Sequence, residues 1–449
     1  MSRSKYITKE EILVRGREAI GIPMRDIDKT NRLKTGKGAI GTVLEESWFG
    51  LKVNNESEPD FVDAGIELKA TPYVKKRIGI RAKERLVCNI INYIEEYKNS
   101  FFTSSFWKKC NTMLLMSYEY KEDIDKGDFH IEEATLFSFP EEDLVVIEHD
   151  WEIIINKVRN GKAHELSEGD TLYLGACTKG STSAKSMRQQ PFSDEFAKQR
   201  AYALKQSYMT YILNSYIFGS KSNERIIKDP NLLKETCFED YIIDKINPFI
   251  GRTQHSLLKE FNIESSAKNI NEILLSRILG VKGRISATDE FKKAGIIPKT
   301  IRINQKGRIN ESMSFPTFRF LDIINENWEE SCFKNYLEPA RFLFVVFRKI
   351  SDKEYIFERI KFWNIPADDL DEVKKVWERT KQVIKDGVVL TKTGSSTKNN
   401  FPKSTENRVS HVRPHARNVN DTYPLPDGRK MPKQCFWFNR TYIESIIEE

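Results

Sequence analysis

Asp60, Glu67 and Lys69 are the residues whose types and spacing could do chemistry. Glu67-Leu-Lys69 lies in Ile66-Glu-Leu-Lys-Ala-Thr71, which alternates as a strand does. Glu67 and Lys69 then share one face while Leu68 enters the core. Asp63-Ala64-Gly65 supplies turn chemistry ahead of it, and across that turn Asp60 brings a second carboxylate to the same face. Two carboxylates and the backbone carbonyl of Leu68 make a hard-oxygen site for Mg2+, with Mn2+ as a substitute. A cation there acidifies a water and neutralises charge on a phosphate, and Lys69 is placed to position or deprotonate that water. These types suit hydrolysis of a phosphodiester. A Glu-x-Lys triplet alone carries no such meaning, since it also occurs at Glu96, Glu290 and Glu372, where it reads as solvated surface.

The elements that must hold these residues are mixed α/β, centred on a sheet. Residues 5–28 read as an amphipathic helix and its turn, and residues 42–49 as a helix stopped by Gly50. Strands are expected at 60–62, 66–71, 85–91, 112–118 and 133–139, and helices at 150–159 and 193–217. A polar, turn-rich stretch from Gly219 to Asn223 marks a linker that divides residues 1–218 from 219–449. The second half repeats the first in order and at nearly constant offset. The segment from Asp60 to Ala70 has a counterpart from Glu290 to Thr300, Ile90-Ile-Asn92 in Ile323-Ile-Asn325, and Trp151 with Gly161 in Trp377 with Gly387. Ile297 stands where the first half has Glu67, Leu275 where it has Glu45, and no lysine lines up with Lys109. A cutting half and a binding half are the expectation.

Composition bounds the rest. A chain of 449 residues suits two or three domains, and 39% apolar with 31% charged residues describes a water-soluble globular protein. The start of the chain lacks the apolar core of a secretory leader, and no apolar run approaches the roughly 20 residues that span a bilayer. Six scattered cysteines without a CxxC pair read as reduced, mostly buried thiols of a cytoplasmic, prokaryotic protein. Pro414, between His411 and His415, argues against a helical zinc pair. A net charge of +7 permits a polyanionic partner without requiring one.

The run Gly38-Ala-Ile-Gly-Thr-Val-Leu-Glu45, then Pro59-Asp60-Phe, then Ala64-Gly-Ile-Glu67-Leu-Lys69 resembles the MutH family of GATC-specific endonucleases, and within it the staphylococcal type of restriction enzyme. Similar stretches run along nearly the whole chain, including Lys83 to Asn92, Gly161 to Gly169, Glu311 to Phe315 and His411 to His415. The resemblance implies a PD-(D/E)xK restriction-endonuclease-like fold in two tandem MutH-like copies, the second without catalytic acids. It also implies Mg2+ dependence and double-strand cleavage at GATC within a restriction-modification system. It maps the metal carboxylates onto Asp60 and Glu67 and the motif lysine onto Lys69. A further glutamate maps onto Glu45 counting from Gly41, or Glu46 counting back from Gly50, and Glu45 is preferred. A second lysine maps onto Lys109, with Lys108 the fallback, and Lys37 matches a basic residue beside the site.

Recognition segments look like Leu174 to Lys179 and Arg200 to Lys205, which puts Lys179, Arg200 and Lys205 on DNA. The basic, amide-bearing loop from Gly180 to Gln190, Arg188 included, suits groove contacts, and its plain alternative is an ordinary surface loop. His411-Val-Arg413-Pro resembles the MutH reader loop. The resemblance therefore implies a C-terminal effector half, at 219–449, that binds a second GATC duplex and activates the catalytic half at 1–218, with pairing of chains on DNA. The rival readings are a strand-nicking repair endonuclease of the same family and a DNA-binding protein that does not cut.

Overall fold

The computed structural model describes the chain apart from residues 1–5, 35, 37, 53–57, 77–78, 180–185, 220–222, 230, 265–266, 268, 353, 394–395 and 449. It divides into two compact units, Met1–Tyr241 with Ser286–Gly295, and Ile242–Ile285 with Ile296–Glu449. The division is therefore not a single cut near 219–223. The helix Asp289–Ala294 returns to the first unit because its charges are spent there. Lys293 Nζ lies 2.6 Å from Asp143 Oδ1, and Glu290 accepts from the Ile226 and Ile227 N–H groups.

The first unit contains β1 (Glu67–Lys75), β2 (Ile80–Ala82), β3 (Leu86–Ile90), β4 (Thr112–Glu119), β5 (Glu133–Ser138), β6 (Leu174–Thr178), β7 (Met187–Gln190), β8 (Ser193–Lys198) and β9 (Arg200–Leu204). One sheet runs β2-β1-β4-β5, with β1 and β4 parallel, and a second runs β3-β9-β6, antiparallel throughout, while β7 and β8 form a hairpin. Thr112 to Tyr118 are all buried, which is why β4 reads as the apolar run Met113 to Met116 between small polar residues rather than as an alternating strand. The helix Glu141–Arg159 begins behind Pro140 with three acids in its first turn and buries Trp151, Ile154, Ile155 and Val158.

Two stretches depart from the expected elements. Residues 193–204 are strands, and helix begins only at Gln206. Arg200-Ala-Tyr-Ala-Leu204 is buried throughout because β9 has a neighbour on each side, and that tertiary setting overrides the helical spacing of its apolar residues. Residues 60–62 are not a strand either. Only Phe61 pairs with Ile66, closing a tight turn in which Gly65 takes a φ of +66° that a side chain would resist.

The second unit contains β10 (Ile296–Ile303), β11 (Met313–Phe318), β12 (Arg341–Lys349), β13 (Tyr355–Trp363), β14 (Leu390–Thr393), β15 (Ser396–Asn399), β16 (Ser410–Pro414), β17 (Thr422–Pro424), β18 (Lys430–Pro432) and β19 (Gln434–Phe438). One sheet runs β10-β12-β13 with β10 and β12 parallel, and another runs β11-β19-β16, antiparallel. A long helix, Ala367–Asp386, packs Trp377 into an aromatic-rich core and ends at Gly387. A parallel pair, an antiparallel third strand and a separate three-stranded sheet thus follow in the same order as in the first unit. Trp151 and Trp377 are both buried in the long helix of their unit. Ile90-Ile-Asn92 and Ile323-Ile-Asn325 do not correspond, for the first closes β3 and the second closes the helix Phe320–Ile323.

Two of the other Glu-x-Lys triplets are not solvated surface. Glu96 and Glu290 are buried, and Glu96 accepts from the Ser105 N–H. All six cysteines are free. Among the described residues no helix is long and apolar enough to cross a membrane.

Candidate active site

Glu67 opens β1 and is buried, only 2% exposed, with Met113 of β4 beside it. The Phe61–Gly65 turn folds Asp60 back over it, and the two acids lock each other in place. The Leu68 N–H donates to Asp60 Oδ2 at 3.0 Å, and the Asp60 N–H donates to Glu67 Oε2 at 3.1 Å. The other oxygen of Glu67, Oε1, accepts from Lys69 Nζ at 2.7 Å. Lys109 Nζ lies 3.7 Å from that same oxygen. The short helix Ser105–Cys110 delivers Lys109, its first turn fixed by Ser104, whose side chain accepts from the Trp107 N–H. Lys108, on the same helix, is exposed.

Glu45 comes from the other direction. The helix Ala39–Val43 widens into a π-helical turn at Leu44–Trp48, a distortion frequent at functional sites, and Gly50 ends it. There Glu45 feels the charges of Asp60, Lys69, Glu67 and Lys109 together. Glu46 faces elsewhere, gripped by the Arg32 guanidinium at 2.8 and 2.7 Å. The structure thus brings Glu45, Asp60, Glu67, Lys69 and Lys109 to one place and leaves Glu46 and Lys108 out of it.

Three acids and two amines share this space. Burial and then repulsion from Asp60 push Glu45 up to about 7, with Glu67 adding to the rise. Burial likewise pushes Glu67 to about 7, against the pull of Lys69 and with repulsion from Asp60. Burial works against the charge of Lys69, but Glu67 overcomes it, and the ammonium is held above its ordinary range. The free thiols of Cys88 and Cys110 share a hydrogen bond beside Lys69, a neighbourhood that no local pattern announced.

No trio of His, Cys, Asp or Glu among the described residues forms a metal cage. What the site offers is Asp60 and Glu67 with the main-chain oxygen of Leu68, a hard-oxygen set of the kind Mg2+ takes. Crowded carboxylates that burial keeps partly protonated are the environment a divalent cation would relieve, so these residues fit the metal.

The residues expected on DNA scatter more widely. Lys37 lies outside the described residues. Lys179 is half-buried just past β6. Arg188 is exposed on β7 and reaches Gln199 Oε1 at 2.8 Å, whereas residues 180–185 of its loop are outside the described set. Arg200 and Lys205 correct the expectation. They are 4% and 2% exposed, Arg200 donating to the Ala176 carbonyl at 2.7 Å and Lys205 to that of Thr171. Both belong to the core around β9 and present no charge to a phosphate.

His411 is corrected in the same way. It is buried, its Nδ1 lies 2.6 Å from Asn439 Oδ1, and burial lowers its pKa, so it is a neutral core residue. Arg413 is exposed, its guanidinium 4.9 Å over the Trp437 ring, with His415 edge-on to the same ring at 5.4 Å. Trp437 was not anticipated.

The family described as DNA mismatch repair enzyme MutH matches residues 49–150, which hold all of the clustered residues except Glu45. The type II restriction enzyme Sau3AI of Staphylococcus aureus is 40% identical across 99% of this chain and 95% of its own length. The DNA mismatch repair protein MutH of Shewanella woodyi is 26% identical, over 47% of this chain and 93% of that protein. Its counterpart in Vibrio vulnificus is 25% identical, over 48% of this chain and 97% of that protein.

Proposed function

Because this chain belongs to the family of the type II restriction enzyme Sau3AI, and is itself a site-specific deoxyribonuclease of that type, we propose that it cuts both strands of DNA at GATC with the cluster around Glu67. The observation that carries this reading is the convergence of two amines on one oxygen of a buried glutamate whose other oxygen is tied to the backbone of a second acid.

Asp60, Glu67 and the Leu68 carbonyl are the residues that would hold Mg2+, or Mn2+ in its place. The ion when bound supplies a more acidic water and neutralises charge at the scissile phosphate. Lys69, held as an ammonium by Glu67, orients the attacking water and faces the negative charge that develops on it. Lys109, on the neighbouring helix, faces the charge that builds on the phosphate. Glu45 adds a third carboxylate whose ionisation follows the occupancy of the other two.

The same reading makes the chain two tandem copies of one PD-(D/E)xK fold. The first unit carries the catalytic machinery, and the second binds a second GATC duplex and stimulates the first. The repeated strand order, the paired tryptophans and the loss of Glu67 to Ile297 support it. In the catalytic half Lys37, Lys179 and Arg188 are left as phosphate contacts. In the other half Arg413, stacked on Trp437, is left to read the groove. Chains would pair on DNA in the prokaryotic cytoplasm.

Digesting a plasmid of known sequence with and without Mg2+, then sequencing the ends, tests the activity. Double-strand ends confined to GATC and dependent on the metal are expected. Cutting without a divalent ion, or ends at other sequences, would contradict it. Nicked circles that never become linear would favour the strand-nicking reading.

A further inference from the structure

Lys299 occupies on β10 the position that Lys69 occupies on β1. Across the sheet of the first unit Lys69 pairs with Leu115 and Leu115 with Thr135, and across that of the second Lys299 pairs with Phe344 and Phe344 with Lys361. In both sheets the first of these pairings is parallel and the next antiparallel. The groups that answer the charge of Lys69 are missing around Lys299. Two positions earlier, where Glu67 stands in β1, Ile297 packs against the core of the second unit. The helix Cys332–Leu337 is capped by Ser331 as Ser105–Cys110 is by Ser104, and it puts the half-buried Tyr336 at the place of Lys109.

Lys299 is itself half-buried, and among the described residues it has no hydrogen-bond or ion-pair partner. Burial alone acts on it and holds its pKa below that of an ordinary lysine. A partly desolvated ammonium without an anion is unfavourable, and a ligand that brings the anion removes the penalty. The β1 position is the one that faces the scissile phosphate in the proposed reaction. With no carboxylate acting on it among the described residues, the β10 position has nothing there to hold a metal and nothing to repel a phosphate.

We propose that Lys299 binds a backbone phosphate of the duplex held by the second unit, at the place that corresponds to the scissile phosphate of the first. The site of a former reaction thus becomes a register pin, which fixes where the duplex lies without contributing to sequence choice. This rests on the reading of the second unit as DNA-binding, and the ligand class is a phosphodiester.

The test uses the full chain in EDTA, so that nothing is cut, with a short GATC duplex and a gel that separates complexes carrying one and two duplexes. Lys299→Met should weaken uptake of the second duplex about tenfold and lower its salt dependence by about one phosphate. Lys299→Arg should restore most of the affinity. The Met variant should melt no earlier than the wild type, because it removes an unpaired, partly buried charge. A Met variant that takes up the second duplex normally, or one that melts early and loses both duplexes alike, overturns the proposal. A wild-type chain that never accepts a second duplex sinks the DNA-binding reading of the second unit, and the proposal with it.

Discussion

Loading the site with Mg2+ should expel protons, and their number follows from the two raised carboxylates. Glu45 and Glu67 each sit at about 7, so near neutral pH each is about half protonated. A divalent ion held by Glu67 needs that carboxylate ionised, and its charge beside Glu45 drives off the second proton, so about one proton should leave per chain at pH 7, about 1.8 at pH 6 and about 0.2 at pH 8. Isothermal titration calorimetry counts them. The slope of the observed enthalpy against the ionisation enthalpy of the buffer is the number of protons released, and Glu45→Gln, which leaves the metal-holding acids in place, should roughly halve it.

The same shifts act on stability. Both groups rise above their usual carboxylate values on folding, so the stability they confer is complete below about 4.5 and is lost as pH climbs through about 7. A shift of this size alone is worth about 3 kcal/mol per group. Repulsion is shared among the acids and Glu45 is partly exposed, so the expected total loss is about 2–3 kcal/mol. The metal-free chain should therefore melt at a lower temperature at pH 8 than at pH 6, and Mg2+ should remove the difference. A calorimetric slope of zero at pH 7, or one that stays the same from pH 6 to pH 8, would refute the reasoning.

Lys69→Ala and Glu67→Ala should each slow cutting by at least about a hundredfold while a GATC duplex still binds, as a cleavage time course and a gel shift would show. Cutting at the wild-type rate by either variant would remove these residues from the mechanism. Glu45→Gln should depress cleavage strongly and Glu46→Gln should not, because only the first lies among the acids and the second faces Arg32. Lys293→Ala leaves Asp143 uncompensated in the interior and should cost about 3–5 kcal/mol in denaturant unfolding. A loss under 1 kcal/mol there would mean that the helix Asp289–Ala294 is not anchored by that pair.

What could be read along the chain was what is local. Alternation around Glu67 placed it on a strand with Lys69, because side-chain direction in a strand follows from spacing alone. Asp60 reaches the same site by a turn instead, and the glycine that makes the turn was visible while the two cross-hydrogen bonds that lock the acids were not. Lys109 comes from a separate helix, so its approach to Glu67 is a tertiary fact, and only resemblance to a known family singled it out over Lys108.

Charge misled where burial decided. Arg200, Lys205 and His411 look like DNA contacts by residue type, but each is folded inward onto a carbonyl or amide oxygen. The stretch 193–204 misled for a related reason. Its apolar spacing fits a helix as well as a strand, and the neighbours of β9 settle the matter. The second half of the Ile-Ile-Asn match shows the reverse hazard, a likeness of letters between a strand end and a helix end.

The most direct measurement is an anomalous difference map from a crystal soaked in Mn2+. A peak is expected within coordination distance of the carboxylates of Asp60 and Glu67 and the carbonyl of Leu68. A map with no ion between those acids, or an ion held by other residues, would contradict it.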